Sequence, residues 1–227
     1  MTEIYFVRHG QASMGQDDYD VLSPLGHEQA HWLGEYFAEQ QLRFDQMLSG
    51  TLRRQVDTLD AITAAMSGSQ QTLPSSEAKP CFNEFDFMQV IKLFLQQNPQ
   101  YQTAEPTAKY WFKILKHSMH AWSQNTLSGE QQSESWEDFV SRVRHGMTQC
   151  SAPSGQRILI ATSGGIIACA VGIALGLDAE TIIRLNLQIQ NTSITRLYRG
   201  KEQWSLHSFN AMPHMSCAAR AKKITYA

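Results

Sequence analysis

The stretch ILIATSGGII, residues 158–167, has the pattern of a buried strand followed directly by a helix. Four apolar residues come first, a Thr-Ser-Gly-Gly corner follows, and an apolar run resumes at once. This order is typical of a strand that leads into a helix through a tight turn. Open α/β sheets bind their ligands at the carboxyl ends of the strands, which is where such a corner lies. Ser163 at this corner is therefore a candidate for a binding or catalytic role.

Strands and helices alternate along the rest of the chain. Besides a short extended piece near Cys81, strands are predicted over residues 4–7, 44–48, 157–161, 193–198 and 204–209. Helices are predicted from residue 24, after the N-cap Ser23, and over residues 51–66, 136–147 and 165–175. The alternation predicts an α/β fold, a three-layer α/β/α sandwich whose mainly parallel sheet ends in a C-terminal antiparallel hairpin.

Residues 87–128 are rich in glutamine and aromatic residues and predict a helical insertion over one edge of the sheet. We expect residues 1–227 to form a single domain that includes this insertion. The aromatic side chains of the insertion could line a ligand pocket, but we expect them to pack in the protein interior instead. They are Phe87, Tyr110, Trp111 and Trp122.

Charge and cysteine usage exclude several classes of protein. The chain has 19 basic and 21 acidic residues without a basic run, so a nucleic-acid partner is not expected. The four cysteines are far apart, which predicts reduced thiols in a cytoplasmic protein. Residues 158–177 are uncharged and long enough for a membrane helix, but the Thr-Ser-Gly-Gly corner near their middle favours a strand, a turn and a helix. We therefore expect no membrane partner.

The other predicted strand ends carry groups that suit a phosphoryl ligand. Arg8 and His9 end the first strand, Arg53 and Arg54 follow the second, and Glu84 follows the extended piece. Guanidinium groups bind phosphate oxygens in a bidentate way, and helix N-termini favour anions. A neutral imidazole can attack phosphorus and form a covalent intermediate. Together these groups predict a phosphate site at this edge of the sheet.

A serine esterase is an alternative reading of the corner. Residues 161–165 differ by one residue from the G-x-S-x-G nucleophile elbow, and Asp178 and then His207 or His214 follow in hydrolase order. Against it, Asp178 follows Ser163 by only fifteen residues. This reading also leaves the arginines and the histidine at the other strand ends without a role.

Several motifs resemble those of the histidine phosphatase superfamily, the phosphoglycerate mutase-like proteins. They stand in the family's order along nearly the whole chain, and the ILIATSGG corner closes the series. The others are VRHGQAS at 7–13, YDVLSPLGHEQA at 19–30, SGTLRRQVDT at 49–58 and NEFDF at 83–87.

The resemblance implies a role for four residues. His9 would be the nucleophile that becomes phosphohistidine, and Arg8 would hold the transferring phosphoryl group. The family's second arginine corresponds to Arg54, which makes Arg53 a surface residue. Glu84 would protonate the leaving oxygen and later activate water. Neither a metal nor a cofactor is expected.

Two positions depart from the family pattern. Gly15 stands where many members have asparagine, and Ser163 stands where the family has its second histidine. A serine hydroxyl can donate a hydrogen bond but carries no charge, and loss of one such donor costs about a hundredfold to a thousandfold in rate. His207 or His214 could compensate, although a structural role is expected for each. The further phosphate contacts that we expect come from Ser163, Gly164, Gln11 and Ser13.

The sequence thus predicts a phosphomonoester hydrolase, rather than a mutase, whose small phosphorylated substrate is unidentified. Its ligands would be that substrate and inorganic phosphate. A catalytically impaired phosphate-binding or interaction module of the same fold is the alternative that Ser163 motivates. The oligomeric state is left open.

Overall fold

The computed structural model describes residues 1–13, 20–67, 72–103, 105–127, 134–150, 155–201 and 203–226. The strands are β1 Thr2–Arg8, β2 Gln46–Ser49, β3 Ser76–Ala78, β4 Arg157–Thr162, β5 Ile194–Arg199 and β6 Trp204–Ala211. The helices are α1 Pro24–Glu39, α2 Arg53–Ser67, α3 Phe87–Gln97, α4 Ala108–Ser123, α5 Trp136–Gln149, α6 Gly164–Leu175, α7 Ala179–Asn186 and α8 Ala218–Ala221. Short 3-10 turns lie at Pro80–Phe82, Pro99–Tyr101 and Pro213–Met215.

The six strands form one sheet in the order β3-β2-β4-β1-β5-β6. The first four run parallel, while β5 pairs antiparallel with both β1 and β6. In the central pair, Arg8 at the end of β1 is the register partner of Thr162 at the end of β4. The carboxyl ends of four strands therefore meet at one edge of the sheet. The mainly parallel sheet with a C-terminal hairpin is confirmed.

Alternate residues of β1 face two different cores, because side chains along a strand point to opposite faces. Tyr5 and Val7 pack with side chains of α1 and α2. Ile4 and Phe6 pack on the other face with side chains from helices α3 to α7. Helices thus cover both faces of the sheet, and the predicted three-layer α/β/α sandwich is confirmed.

The segment predicted as a helical insertion contains α3 and α4, and α4 packs against α5 and α7. The side chains of Asp86 and Thr107 cap the N-termini of α3 and α4. Trp122, at the end of α4, is buried and stacks on Phe85 with 4.7 Å between ring centroids, so it packs as expected. Ser128, at the predicted boundary, lies outside the described residues.

The uncharged run of residues 158–177 divides between β4 and α6, and the chain turns between them at Ser163. The helix ends at Gly176, which adopts the left-handed conformation (φ 67°) typical of a glycine after a helix. Within the described part of the chain, no helix combines the length and the apolar character needed to cross a membrane.

Candidate active site

A cavity of about 180 Å³ opens at the carboxyl ends of β1 and β4. Its ionisable side chains include Arg8, His9, Arg54 and Glu84. These are the four residues to which the sequence assigned catalytic roles, and they reach the cavity from β1, from α2 and from the turn before α3. The parallel strands and the helix that follows β2 bring them together.

The imidazole of His9 is buried and held in one orientation. Its Nδ1 lies 2.7 Å from the carbonyl oxygen of Gly10. A carbonyl oxygen can only accept, so Nδ1 donates and Nε2 carries the lone pair. Nε2 accepts a hydrogen bond of 3.3 Å from Arg54 Nε. Burial, and then the charges of Arg8 and Arg54, hold the pKa of His9 well below its ordinary value, so the ring is neutral at pH 7.

Asp20 positions the Arg54 guanidinium, a contact that the sequence did not predict. Its Oδ1 accepts from Arg54 Nη1 at 2.6 Å, and its Oδ2 accepts from the backbone N–H of Arg53 at 2.8 Å. Arg54 is buried, whereas the Arg53 side chain is 63% exposed and pairs with Asp57. The signal for Asp20 was its place in the YDVLSPLGHEQA motif. The arginine that reaches His9 is thus the second of the pair.

The C-terminal segment holds Arg8, a contact that the sequence did not predict. Arg8 Nη1 donates to the backbone carbonyls of Ile189 and Tyr226. The segment is itself anchored, because the backbone N–H of Asn191 donates to the carbonyl of Thr225 at 3.0 Å. Tyr226 also lines the cavity. Residues near the C-terminus therefore form one wall of the site.

The carboxyl group of Glu84 lies at the N-terminus of α6. Its Oε2 accepts from the backbone N–H of Gly165 at 2.9 Å. Burial raises the pKa of Glu84 against the lowering effects of that hydrogen bond and of Arg54 and Arg8. A Cβ at Gly165 would lie 2.2 Å from Glu84 Oε1, so the glycine leaves room for the carboxyl. The group is therefore suited to carry a proton within the cavity.

Ser163 lies behind the cavity wall. It is buried, and its Oγ accepts from Gln55 Nε2 at 2.8 Å. Gln55 is fully buried and also donates to the carbonyl of Phe82. Among the described residues that line the cavity, Gly164 is present and Ser163 is not. The serine hydroxyl is thus turned toward α2.

The described contacts do not assemble a serine esterase. A serine nucleophile needs a base within hydrogen-bond reach. Asp178 instead caps α7 by accepting from the backbone N–H of Thr181 at 2.8 Å. His214 Nε2 lies 3.0 Å from Thr192 Oγ1, and burial lowers the pKa of His214 to about 3.

His207 contacts the ring of Tyr198, with 5.0 Å between the ring centroids. Like His214, it is not among the described residues that line the cavity. The geometry therefore gives neither histidine the position needed to replace an imidazole at residue 163.

Gln11 and Ser13 shape the loop after β1. Gln11 Oε1 accepts from Ser23 Oγ at 2.8 Å, and the backbone N–H of Ser13 donates to the carbonyl of Val21 at 2.8 Å. Neither is among the described lining residues of the cavity. Gly15 lies outside the described part of the chain.

Most of the uncharged residues that line the cavity were not predicted from the sequence. Of the four aromatic candidates, Phe87 is the one found among the described lining residues. Phe112 and Leu115 line the cavity from α4, and Asn186 and Leu187 line it from the end of α7. The available signal was the i, i+3 spacing of Phe112 and Leu115, which places two apolar side chains on one helix face.

We predict that Gln55 and Ser163 are coupled. Ser163→His alone should lower stability, since the ring must enter space beside the Gln55 amide, and overpacking of this kind costs about 1–3 kcal/mol. Adding Gln55→Ala should recover part of the loss, with a coupling of about 0.5–3 kcal/mol. Urea unfolding of the four proteins of this double-mutant cycle measures the coupling. Strictly additive effects would show that the two side chains do not share the space.

Known proteins resemble this chain in sequence and in fold. A relative from Hydrogenobacter thermophilus, provisionally named phosphoserine phosphatase 2, is 25% identical over 225 residues, 94% of this chain and 98% of that protein. One from Erwinia tasmaniensis, named a probable phosphoglycerate mutase (GpmB), is 24% identical over 90% of this chain and 88% of that protein.

A similar fold occurs in the crystal structure of a phosphoserine phosphatase mutant from Entamoeba histolytica in complex with phosphoserine. Its TM-score is 0.66 at 16% identity, covering 95% of this chain and 100% of that one. A model of the histidine phosphatase superfamily (branch 1) matches residues 4–212. The chain described here therefore belongs to the histidine phosphatase superfamily.

Proposed function

We propose that this protein is a phosphomonoester hydrolase that acts on a small phosphorylated substrate through a phosphohistidine at His9. The main support for the proposal is the protonation state of the His9 ring. Its Nδ1 is committed to the Gly10 carbonyl, which leaves Nε2 with a lone pair beside the guanidinium of Arg54. An unprotonated ring nitrogen in a cationic cavity is what attack on a phosphate dianion requires.

In the first step, His9 Nε2 forms a bond to phosphorus while the bond from phosphorus to the ester oxygen breaks. Glu84, whose pKa is raised by burial, gives its proton to the leaving oxygen. Arg8 and Arg54 stabilise the charge on the transferring group. The alcohol leaves, and the enzyme holds phosphohistidine.

In the second step, water attacks phosphorus and gives a proton to the Glu84 carboxylate. The bond between phosphorus and His9 Nε2 breaks, and inorganic phosphate leaves. This restores the neutral ring and the protonated carboxyl. Water has access in the free protein, because Phe112 and Tyr226, which both line the cavity, are 52% and 56% exposed. That access favours a hydrolase over a mutase, which must keep its intermediate from water.

Ser163 supports a second candidate, a phosphate-binding module with little catalysis. Its hydroxyl is paired with Gln55, so the second imidazole of the family pattern has no counterpart at this position. Under this alternative, inorganic phosphate binds in a manner that depends on Arg8 and Arg54 while turnover stays at background. The cytoplasmic location stays a prediction.

We predict that a phosphoenzyme forms on His9. After incubation with an aryl phosphate labelled with ³²P and rapid quenching, the wild-type protein should carry label that is stable to base and labile to acid. His9→Ala should lose the label and the turnover together. His31→Ala, at an exposed histidine on α1, is the matched control and should retain both. Turnover that survives His9→Ala would refute the proposed nucleophile.

We predict that Glu84→Gln discriminates between leaving groups. Alkyl phosphate hydrolysis should fall about 10²-fold to 10⁴-fold, because an alkoxide leaves poorly without a proton. The comparison is made in kcat/KM, which reports the steps through release of the leaving group and not the later hydrolysis of phosphohistidine. On this measure 4-nitrophenyl phosphate should lose far less, since nitrophenolate leaves unprotonated. Equal losses of kcat/KM for the two substrates would argue against a role for Glu84 as the acid.

The pH profile of kcat/KM for an alkyl phosphate follows from the two shifted pKa values. The lowered pKa of His9 keeps Nε2 unprotonated below the ordinary histidine range, so activity should persist into acid. The raised pKa of Glu84 keeps its proton above the ordinary carboxyl range, and activity should fall as pH rises through that pKa. Glu84→Gln should abolish this upper limb.

A further inference from the structure

The cavity has an apolar side as well as a phosphate side. Among its described lining residues, five have hydrocarbon side chains without a polar atom. We call them the apolar wall: Phe85, Phe87, Phe112, Leu115 and Leu187. Beyond Arg8, His9, Arg54 and Glu84, the other described lining residues are uncharged.

We propose that the apolar wall selects phosphomonoesters whose leaving group is apolar and uncharged, such as an alkyl or aryl alcohol. The proposal rests on the proposed function, because it takes the phosphoryl group to lie at His9. A group esterified to that phosphate then extends into the rest of the cavity. There the described surface offers hydrocarbon contacts, with Asn186 and Tyr226 as the uncharged polar side chains.

The inner part of the wall is held in place. Phe85 stacks on Trp122 at 4.7 Å and meets the edge of Phe139 at 5.5 Å between ring centroids. Phe85 and Trp122 are both buried. A ligand that contacts Phe85 therefore meets a surface already ordered in the free protein, and binding pays little to order it.

The outer part of the wall is exposed to water. The side chain of Phe112 lines the cavity and is 52% exposed, although it is a hydrocarbon. An apolar leaving group laid against it removes hydrocarbon surface from water on both partners, which favours binding. An exposed apolar surface at the mouth of a cavity is a common mark of a ligand site.

Charged leaving groups are disfavoured because the two guanidinium groups of the cavity are held by protein contacts and, in this proposal, bind the phosphoryl group. Arg54 pairs with Asp20 and donates to His9, and Arg8 donates to two backbone carbonyls. A carboxylate or ammonium beyond the phosphate would be taken out of water against hydrocarbon, which is costly without a partner. Phosphoserine, whose leaving group carries both charges, should therefore be a poor substrate.

Binding of alkylphosphonates tests the wall without requiring catalysis, because these compounds have no ester bond to break. By titration calorimetry, affinity should rise about threefold to fourfold for each added methylene from ethyl to pentyl, until the cavity is filled. A phosphonate of equal length that ends in a carboxylate should bind at least tenfold more weakly than its methyl-terminated partner. Inorganic phosphate gives the affinity of the phosphate side alone.

Two variants on α4 localise the effect. Phe112→Ser should flatten the dependence on chain length and leave the affinity for inorganic phosphate unchanged. Trp111→Ser is the matched control, since Trp111 is 43% exposed on the same helix and is not among the described lining residues. It should retain the wild-type dependence. Circular dichroism checks that both variants are folded.

The outcomes separate this inference from the proposed function. Affinity that does not change with chain length, or that is equal for the carboxylated phosphonate, overturns the apolar wall even if esters are hydrolysed. Affinity that rises with chain length and falls in Phe112→Ser supports the wall even if no ester is hydrolysed. In that second case the proposed hydrolase activity is refuted, whereas the apolar wall is supported as a binding site.

Discussion

The hydrogen bond from His9 Nδ1 to the carbonyl of Gly10 is the contact on which the site depends. It decides which ring nitrogen is protonated and so which one can act in the cavity. The backbone of Gly10 is itself held in place, because its N–H donates to Thr58 Oγ1 at 3.0 Å. A Cβ at Gly10 would lie 2.4 Å from the carbonyl oxygen of Gly26, so this packing against α1 needs a glycine. Backbone geometry thus sets the chemistry of the side chain.

Burial shifts the pKa values of the two titratable groups in opposite directions. Desolvation is the largest cause for both, and it disfavours the charged form of each: it lowers the pKa of His9 and raises that of Glu84. The guanidinium charges reinforce the effect on His9 and oppose it on Glu84. The cavity therefore favours an unprotonated imidazole beside a protonated carboxyl, which is the pair of states that the first step of phosphoryl transfer uses.

The sequence predicted the layers and the cluster at the strand ends because both follow from local patterns. Alternating strands and helices leave few ways to arrange a parallel sheet, and Arg8, Arg54 and Glu84 stand at or just after strand ends. Such local patterns do not predict contacts between residues that are far apart in the sequence. Gln55 and Ser163 are separated by 108 positions, and Arg8 and Tyr226 by 218.

The residues that line the cavity could not be predicted from the sequence for a different reason. The sequence marks Tyr110, Trp111 and Phe112 equally as aromatic, and only the rotation of α4 about its axis decides which one faces the site. That rotation depends on the packing of α4 against α5 and α7. The second of these helices was not predicted at all, although Asn186 and Leu187 at its end line the cavity.

A crystal structure of the protein with orthovanadate would show which atom of His9 bonds to the transferring group, because vanadate adopts the geometry of a transferring phosphoryl group. We expect vanadium bonded to His9 Nε2, with its equatorial oxygens accepting hydrogen bonds from Arg8 and Arg54. We also expect the Glu84 carboxyl to lie beside the apical oxygen opposite the ring. Vanadium bonded to Nδ1, or vanadate bound without a bond to His9, would refute His9 Nε2 as the nucleophile.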